Sequence, residues 1–223
     1  MQPLPDAVIF DMDGLLIDTE TYSLRGFEHA VTTHGLQDLK EVFVSLVGTN
    51  ERHHTDTLQR ELSHLVDPVA FRQTWVDHYI ELTTKHTIPL LSGVRETLVW
   101  LHMHSVKTAV ATSSTTSAAE KKLRDTEIRD FFHAVVCGDQ VENSKPHPDI
   151  YLKAGQSINA DMSRSIGLED SVNGVKSAHA AGLNVIQVPN VVPPSDELLA
   201  LGVTVCDSMN DVLTLLQRGE AIP

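Results

Sequence analysis

Asp11 and Asp13 lie two residues apart, directly behind the apolar run Ala7-Val8-Ile9-Phe10 and ahead of Gly14. Two carboxylates at this spacing, with a glycine that permits a tight turn, make a hard, oxygen-rich corner suited to a divalent cation. A carboxylate in such a corner can also act as a nucleophile. By itself Asp-x-Asp-Gly is equally the composition of a solvated turn, so its weight depends on what surrounds it. Three further clusters offer matching chemistry. Thr112-Ser113-Ser114 presents hydroxyls and backbone N–H groups of the kind that hold phosphate oxygens. Lys145 stands in Ser144-Lys145-Pro146-His147-Pro148-Asp149, where prolines stiffen the loop around a cation. Glu169-Asp170 closes another apolar run, and an Asp there could complete the octahedral oxygen set that Mg²⁺ requires. Each cluster also has a plain use: N-capping for the Thr-Ser-Ser run and for Asp170 or Ser171, and a solvated surface charge for Lys145.

The elements that must bring these groups together follow from hydrophobic pattern. The β-branched run stopped by the acidic turn is expected to be a buried parallel strand that delivers Asp11 to its carboxyl end. Further strands are expected at Val106 to Ala111, Ala134 to Cys137, Ser165 to Leu168, Val185 to Val188 and Val203 to Cys206, with helices between them. That alternation makes a parallel sheet, and in open α/β sheets ligands bind at the carboxyl edge. All four clusters follow strands and so fall on that edge.

From Asp18 to about His86 the pattern is helical alone. Leu24, Phe27 and Val31 recur at helical spacing, and Phe71, Trp75, Tyr79 and Leu82 mark another helix with Asp67 as N-cap and Pro68 at its first position. This insert begins beside the acidic corner, where a lid would need its hinge.

Composition sets the remaining bounds. With 223 residues, 41% hydrophobic and 21% charged, the chain reads as an ordinary globular protein with a sizeable core. Its 17 basic and 30 acidic side chains give a net charge of −13, which argues against nucleic acid or an anionic membrane as partner. No apolar run approaches the roughly 18 residues of a spanning helix, and the segment from Met1 to Asp6 lacks the pattern of a signal peptide. A cytoplasmic location and a monomer are the default expectations. Cys137 and Cys206 end apolar runs without CxxC spacing and are expected inside as reduced thiols, while the scattered histidines suggest no zinc site.

The string from Asp11 to Thr19 (Asp-x-Asp-Gly-x-x-x-Asp-Thr), the run Lys145-Pro146-x-Pro148-x-x-Tyr151 and the run from Glu169 through Ser171 and Gly174 to Gly182 occur in one chain. Together they resemble the haloacid dehalogenase-like hydrolase superfamily, in particular the phosphatases similar to β-phosphoglucomutase. The resemblance implies an α/β fold: a doubly wound, Rossmann-like parallel-sheet core from residues 1–17 and 88–223, with a small α-helical cap inserted at 18–87. It implies phosphoryl transfer to Asp11, with Asp13 as general acid and base. Phosphate would be held by Thr112, Ser113 and Lys145. Mg²⁺ would be held by Asp11, the backbone carbonyl of Asp13, Asp170 and, directly or through water, Glu169. The expected activity is Mg²⁺-dependent hydrolysis of a small phosphorylated metabolite through an aspartyl phosphate. Sugar phosphates, phosphoglycolate and nucleotide monophosphates all stay open as substrates.

Single residues separate the branches of that superfamily. Asp13 favours phosphate-ester chemistry over dehalogenation. The sugar phosphomutases have a His at the place of Ser23 and an Arg four residues from a sequence equivalent to Gly48-Thr49-Asn50, near which this chain has Glu51 and Arg52. These departures favour a phosphatase over a β-phosphoglucomutase-type mutase. A phospho-accepting receiver module would share the sheet, the acidic corner, the hydroxyl and the lysine, but receivers lack Asp-x-Asp after the first strand and the helical insert.

Overall fold

The computed structural model describes residues 4–47, 49, 51–85, 87–191 and 193–219. Met1 to Pro3, Gly48, Asn50 and His86, on which parts of the sequence expectations fall, lie outside the described residues. Strand β1 (Ala7–Phe10) is buried along its whole length. It pairs in parallel with β2 (Lys107–Thr112) on one side and β4 (Ile166–Glu169) on the other. With β3 (Ala134–Cys137), β5 (Asn184–Gln187) and β6 (Thr204–Val205) the sheet runs β3-β2-β1-β4-β5-β6, parallel throughout. The chain winds outward from β1 to β3, returns, and winds the other way from β4. The strand order therefore reverses between β1 and β4, and the crevice beyond their carboxyl ends is where such a sheet receives a ligand.

The period of two along β1 divides the core. Val8 and Phe10 pack with α5 (Val94–Met103), α6 (Thr116–Asp125) and α10 (Met209–Arg218) through residues such as Leu98, Leu123 and Val212. Ala7 and Ile9 face α7 (Asp149–Ser157), α8 (Val172–Ala180) and α9 (Asp196–Leu199) through Tyr151, Val175 and Leu198. A strand covered on both faces is apolar at every position, which is why it appears as an unbroken run.

Helices α1 (Thr19–Thr33), α2 (Lys40–Leu46), α3 (Glu51–Leu62) and α4 (Pro68–Lys85) form a separate apolar cluster built on Phe27, Phe43, Phe71 and Trp75. Phe27 meets the other three rings at centroid distances of 5.2 to 5.3 Å. Asp67 caps α4 as expected, with Oδ1 accepting from the Val69 N–H at 3.0 Å. Val191, beyond β5, packs onto this cluster from the sheet side.

Strand limits differ from the apolar pattern by a residue. The ladder carries β2 through Thr112, paired with Cys137, and β4 through Glu169, paired with Gln187. Backbone pairing, not side-chain polarity, ends a strand, so two residues expected behind the sheet belong to it. Among the described residues no helix is long and apolar enough to cross a membrane.

Candidate active site

The Asp11 N–H donates to the Leu168 carbonyl at 2.9 Å, which pins the residue after β1 against β4. Its buried carboxylate accepts from Lys145 Nζ at 2.5 Å. The same ammonium donates to the Ala111 carbonyl at 3.0 Å and to Oε1 of Glu169 at 2.7 Å. Lys145 is thus an interior cation fixed at three points, not a solvated surface charge. Glu169 has no exposure, and the Tyr151 hydroxyl donates to its Oε1 at 3.0 Å. Its Oε2 accepts from the N–H groups of Asp170 and Ser171 and from the Ser171 hydroxyl, at 3.0 to 3.1 Å. A Cβ at Gly174 would overlap the Glu169 carboxylate, and one at Gly14 would overlap Oδ2 of Asp170. Both glycines therefore let the backbone close over the acidic groups.

Asp11, Glu169 and Asp170 each bring a carboxylate oxygen within 4.8 Å of the others. Burial pushes Asp11 up and Lys145 draws it back, while Glu169 raises it again, leaving it at about 8. Burial, then Glu169 and Asp11, hold Asp170 well above the usual carboxylate range. Burial alone would lower Lys145, but Asp11 and Glu169 overcome it and keep its ammonium charged. Three buried carboxylates around one ammonium leave the cluster short of positive charge, and the donors facing one another are all oxygen. That set fits a hard divalent ion such as Mg²⁺.

Asp13 is held differently. Its Oδ1 accepts from Lys122 Nζ at 2.6 Å, and its Oδ2 from Ser114 Oγ at 2.7 Å and Thr112 Oγ1 at 3.4 Å. Burial raises its carboxyl, but the Lys122 charge and these hydrogen bonds outweigh that and hold it below the usual range. Thr112 is buried and Ser113 lines the cavity in front of Asp11. The hydroxyl run does not cap α6. That helix starts at Thr116, whose N–H and hydroxyl donate to Asp139 at 2.8 to 3.2 Å. Ser171 does cap α8, accepting from the Gly174 N–H at 3.2 Å, so the Asp170 carboxylate is left to the corner.

The cavity, of about 230 Å³, has Asp11, Asp13, Lys145 and Asp170 on the sheet side and Leu46, His54 and Trp75 on the helical side. His54 stacks on Trp75 with centroids 5.6 Å apart, and Trp75 Nε1 donates to the Ser23 carbonyl at 2.9 Å. Glu20, at the rim, is pushed up to about 7 by burial and by Asp13. Six of the seven candidate residues from the sequence, Asp11, Asp13, Thr112, Ser113, Lys145 and Asp170, line this space, and the seventh, Glu169, is buried behind them on Lys145. Lys122 on Asp13 went unanticipated, and Ser114 and Tyr151, known from the hydroxyl run and the Lys145 motif, make contacts to Asp13 and Glu169 that the sequence did not assign.

The chain has a doubly wound, Rossmann-like sheet with carboxylates, a buried lysine and a hydroxyl loop at its switch point, and its named relatives place it in the class of phosphatase enzymes. The chain belongs to the haloacid dehalogenase-like hydrolase family, whose model matches residues 8–188. It is 29% identical to a phosphorylated carbohydrates phosphatase of Thermotoga maritima over 214 residues, 96% of this chain and 99% of that protein. It is 31% identical to hexitol phosphatase B of Escherichia coli strain K12 over 217 residues, 92% of this chain and 93% of the relative. Among solved structures, CbbY from Rhodobacter sphaeroides in complex with phosphate superposes with a TM-score of 0.73 at 25% identity, covering 94% of this chain and 96% of that one.

Proposed function

We propose that this protein is a Mg²⁺-dependent phosphatase that hydrolyses small phosphate monoesters, sugar phosphates first among them, through an aspartyl phosphate on Asp11. The observation that carries this reading is the buried Asp11–Lys145–Glu169–Asp170 cluster at the switch point, facing Thr112 and Ser113 across one cavity. The Lys145 ammonium, the Thr112 hydroxyl and the Ser113 N–H bind the phosphoryl oxygens. An Asp11 carboxylate oxygen attacks phosphorus as the bond to the substrate's ester oxygen breaks, and Asp13 gives that oxygen a proton so that it leaves as an alcohol. Water then attacks the aspartyl phosphate and gives its proton to Asp13. The bond from phosphorus to Asp11 breaks, and inorganic phosphate departs.

Asp11, Asp170 and the Asp13 backbone carbonyl would hold Mg²⁺, with Glu169 reaching it through water because its own oxygens already accept hydrogen bonds from five donors. When bound, the ion offsets the clustered negative charge of carboxylates and phosphoryl group. Residues 18–87 act as a helical cap that closes over the corner and shields transfer from bulk water. Sugar phosphates are favoured because the relatives above carry carbohydrate and hexitol phosphatase names. The partner is thus a small phosphorylated metabolite, and we place the reaction in the cytoplasm, which suits two buried free cysteines. A panel of sugar, hexitol, glycolate and nucleotide monophosphates assayed with Mg²⁺ and ranked by kcat/KM tests this. Sugar or hexitol phosphates should lead the ranking. Absence of phosphate release from every member would refute the proposal.

A further inference from the structure

Lys122 sits in the charged run Glu120-Lys121-Lys122-Leu123-Arg124-Asp125, where a lysine ordinarily lies in solvent. Its neighbour Lys121 does so, with its side chain 73% exposed and paired with Asp125 one turn along α6. Lys122 points the other way. Its side chain is 21% exposed and reaches across the edge of the sheet to Oδ1 of Asp13 at 2.6 Å. Tyr79, from α4 on the opposite wall, lines the same cavity as this ammonium. Asp13, Tyr79 and Lys122 line one cavity with Glu20 and Trp75, adjoining the space in front of Asp11. Asp13 is gripped at both oxygens, by Lys122 on one and by Ser114 and Thr112 on the other, so its carboxyl plane has no freedom to turn.

We propose that Lys122 is a positioning residue that fixes the Asp13 carboxyl where it can pass its proton to the leaving oxygen. The inference rests on the phosphatase function proposed above and adds to it a residue from outside the phosphate cradle. General acid catalysis demands hydrogen-bond reach to the atom that takes the proton, and a displacement of about 1 Å can cost about a hundredfold. Lys122 supplies that placement through its contact with Asp13. In the step concerned, the bond from phosphorus to the leaving oxygen breaks as the bond to Asp11 forms, and the proton of Asp13 ends on the leaving oxygen.

Leaving-group dependence separates this role from a structural one. Phenyl phosphate needs a proton on its departing oxygen, whereas 2,4-dinitrophenyl phosphate releases a stable anion without one. In Lys122→Met, kcat/KM for phenyl phosphate should fall about thirtyfold to a hundredfold, while that for 2,4-dinitrophenyl phosphate changes by less than about threefold. Lys122→Arg, which keeps a charged donor on a long stem, should recover most of the loss. Equal losses on both substrates, or no loss on phenyl phosphate, would overturn the inference while leaving the phosphatase function intact. If the wild type hydrolysed neither ester, the phosphatase reading would fail and Lys122 with it.

Discussion

Lys145 Nζ lies 2.5 Å from Oδ1 of Asp11, and both side chains are buried at the end of β1. A buried ion pair tolerates poorly the loss of one partner, because the other is left as an uncompensated interior charge. Here Glu169 stands 2.7 Å from the same ammonium and shares it. The cation is therefore anchored by Glu169 as well as by Asp11, an arrangement suited to the phosphoryl transfer proposed for Asp11.

Asp11→Asn should fold with its sheet intact, since the amide keeps the shape of the side chain and Glu169 still holds Lys145. It should lose turnover by roughly four orders of magnitude or more, the scale on which deleting a nucleophile acts. Steady-state phosphate release and a circular dichroism melt on the same preparation check both parts. A folded Asp11→Asn enzyme with wild-type-like turnover would exclude Asp11 as the nucleophile.

The corner was legible in the sequence where pattern and chemistry coincide. Ala7 to Phe10 read as a buried strand because both faces are covered, and Asp11 then had to emerge at its carboxyl end. Lys145 was legible only through the prolines and the motif around it, because a lone lysine gives no sign of being interior. Lys122 was hidden twice over. Its charged neighbours mask it, and its partner Asp13 lies 109 residues away, a relationship made by the fold and not by local spacing. Tyr151 stood out in the sequence only as the last residue of the Lys145 motif; its ring is buried, and its hydroxyl reaches Glu169 because of where β4 ends. The capping of α6 by Asp139 is likewise a contact across the loop behind β3, which no local signal at Thr112 to Ser114 could report.

Activity should require Mg²⁺ and be inhibited by Ca²⁺, whose larger radius and looser, higher coordination displace the attacking carboxylate. Asp170→Ala should raise the Mg²⁺ concentration needed for half-maximal rate by about tenfold or more, or abolish activity. Metal titrations of wild type and variant after exhaustive chelation measure this. Full activity in the chelated wild type would exclude a metal at this corner.

The metal-free protein should lose stability as pH rises across the neutral range. Asp11 at about 8 and Glu20 at about 7 keep protons in the folded state that the unfolded chain has released. Their stabilising contribution is full below about pH 4 and disappears as pH climbs through those folded values. Asp13, held low, acts in the opposite sense, losing its contribution only as pH falls below the ordinary carboxylate range. A cation at the corner replaces the protons, so Mg²⁺ should raise Tm more at about pH 8 than at about pH 5.5. Thermal melts with and without Mg²⁺ at both pH values provide the comparison. An equal or larger shift at the lower pH would contradict the placement of the ion among Asp11 and Asp170.

In the proposed mechanism the fate of the aspartyl phosphate decides between a phosphatase and a mutase, and it depends on what the helical side presents to the corner. A mutase must hold its intermediate until a second sugar hydroxyl collects the phosphoryl group. At the place where the resembling mutases have a His, this chain has Ser23, whose backbone carbonyl accepts from Trp75 and whose small side chain lines the cavity. Of the two residues near the mutases' cap arginine, Glu51 lines the cavity, while Arg52 has a side chain 92% exposed and is turned to solvent beside Asp56. Arg72 reaches the adjoining space but is paired with Glu51 at 3.0 Å. Among the described residues the groups that would hold a sugar for the return step are therefore missing or engaged, and water should take the phosphoryl group. Incubation with β-glucose 1-phosphate, with glucose 1,6-bisphosphate present, should release inorganic phosphate or give no reaction. Efficient formation of glucose 6-phosphate without comparable phosphate release would assign the chain to the mutase branch instead.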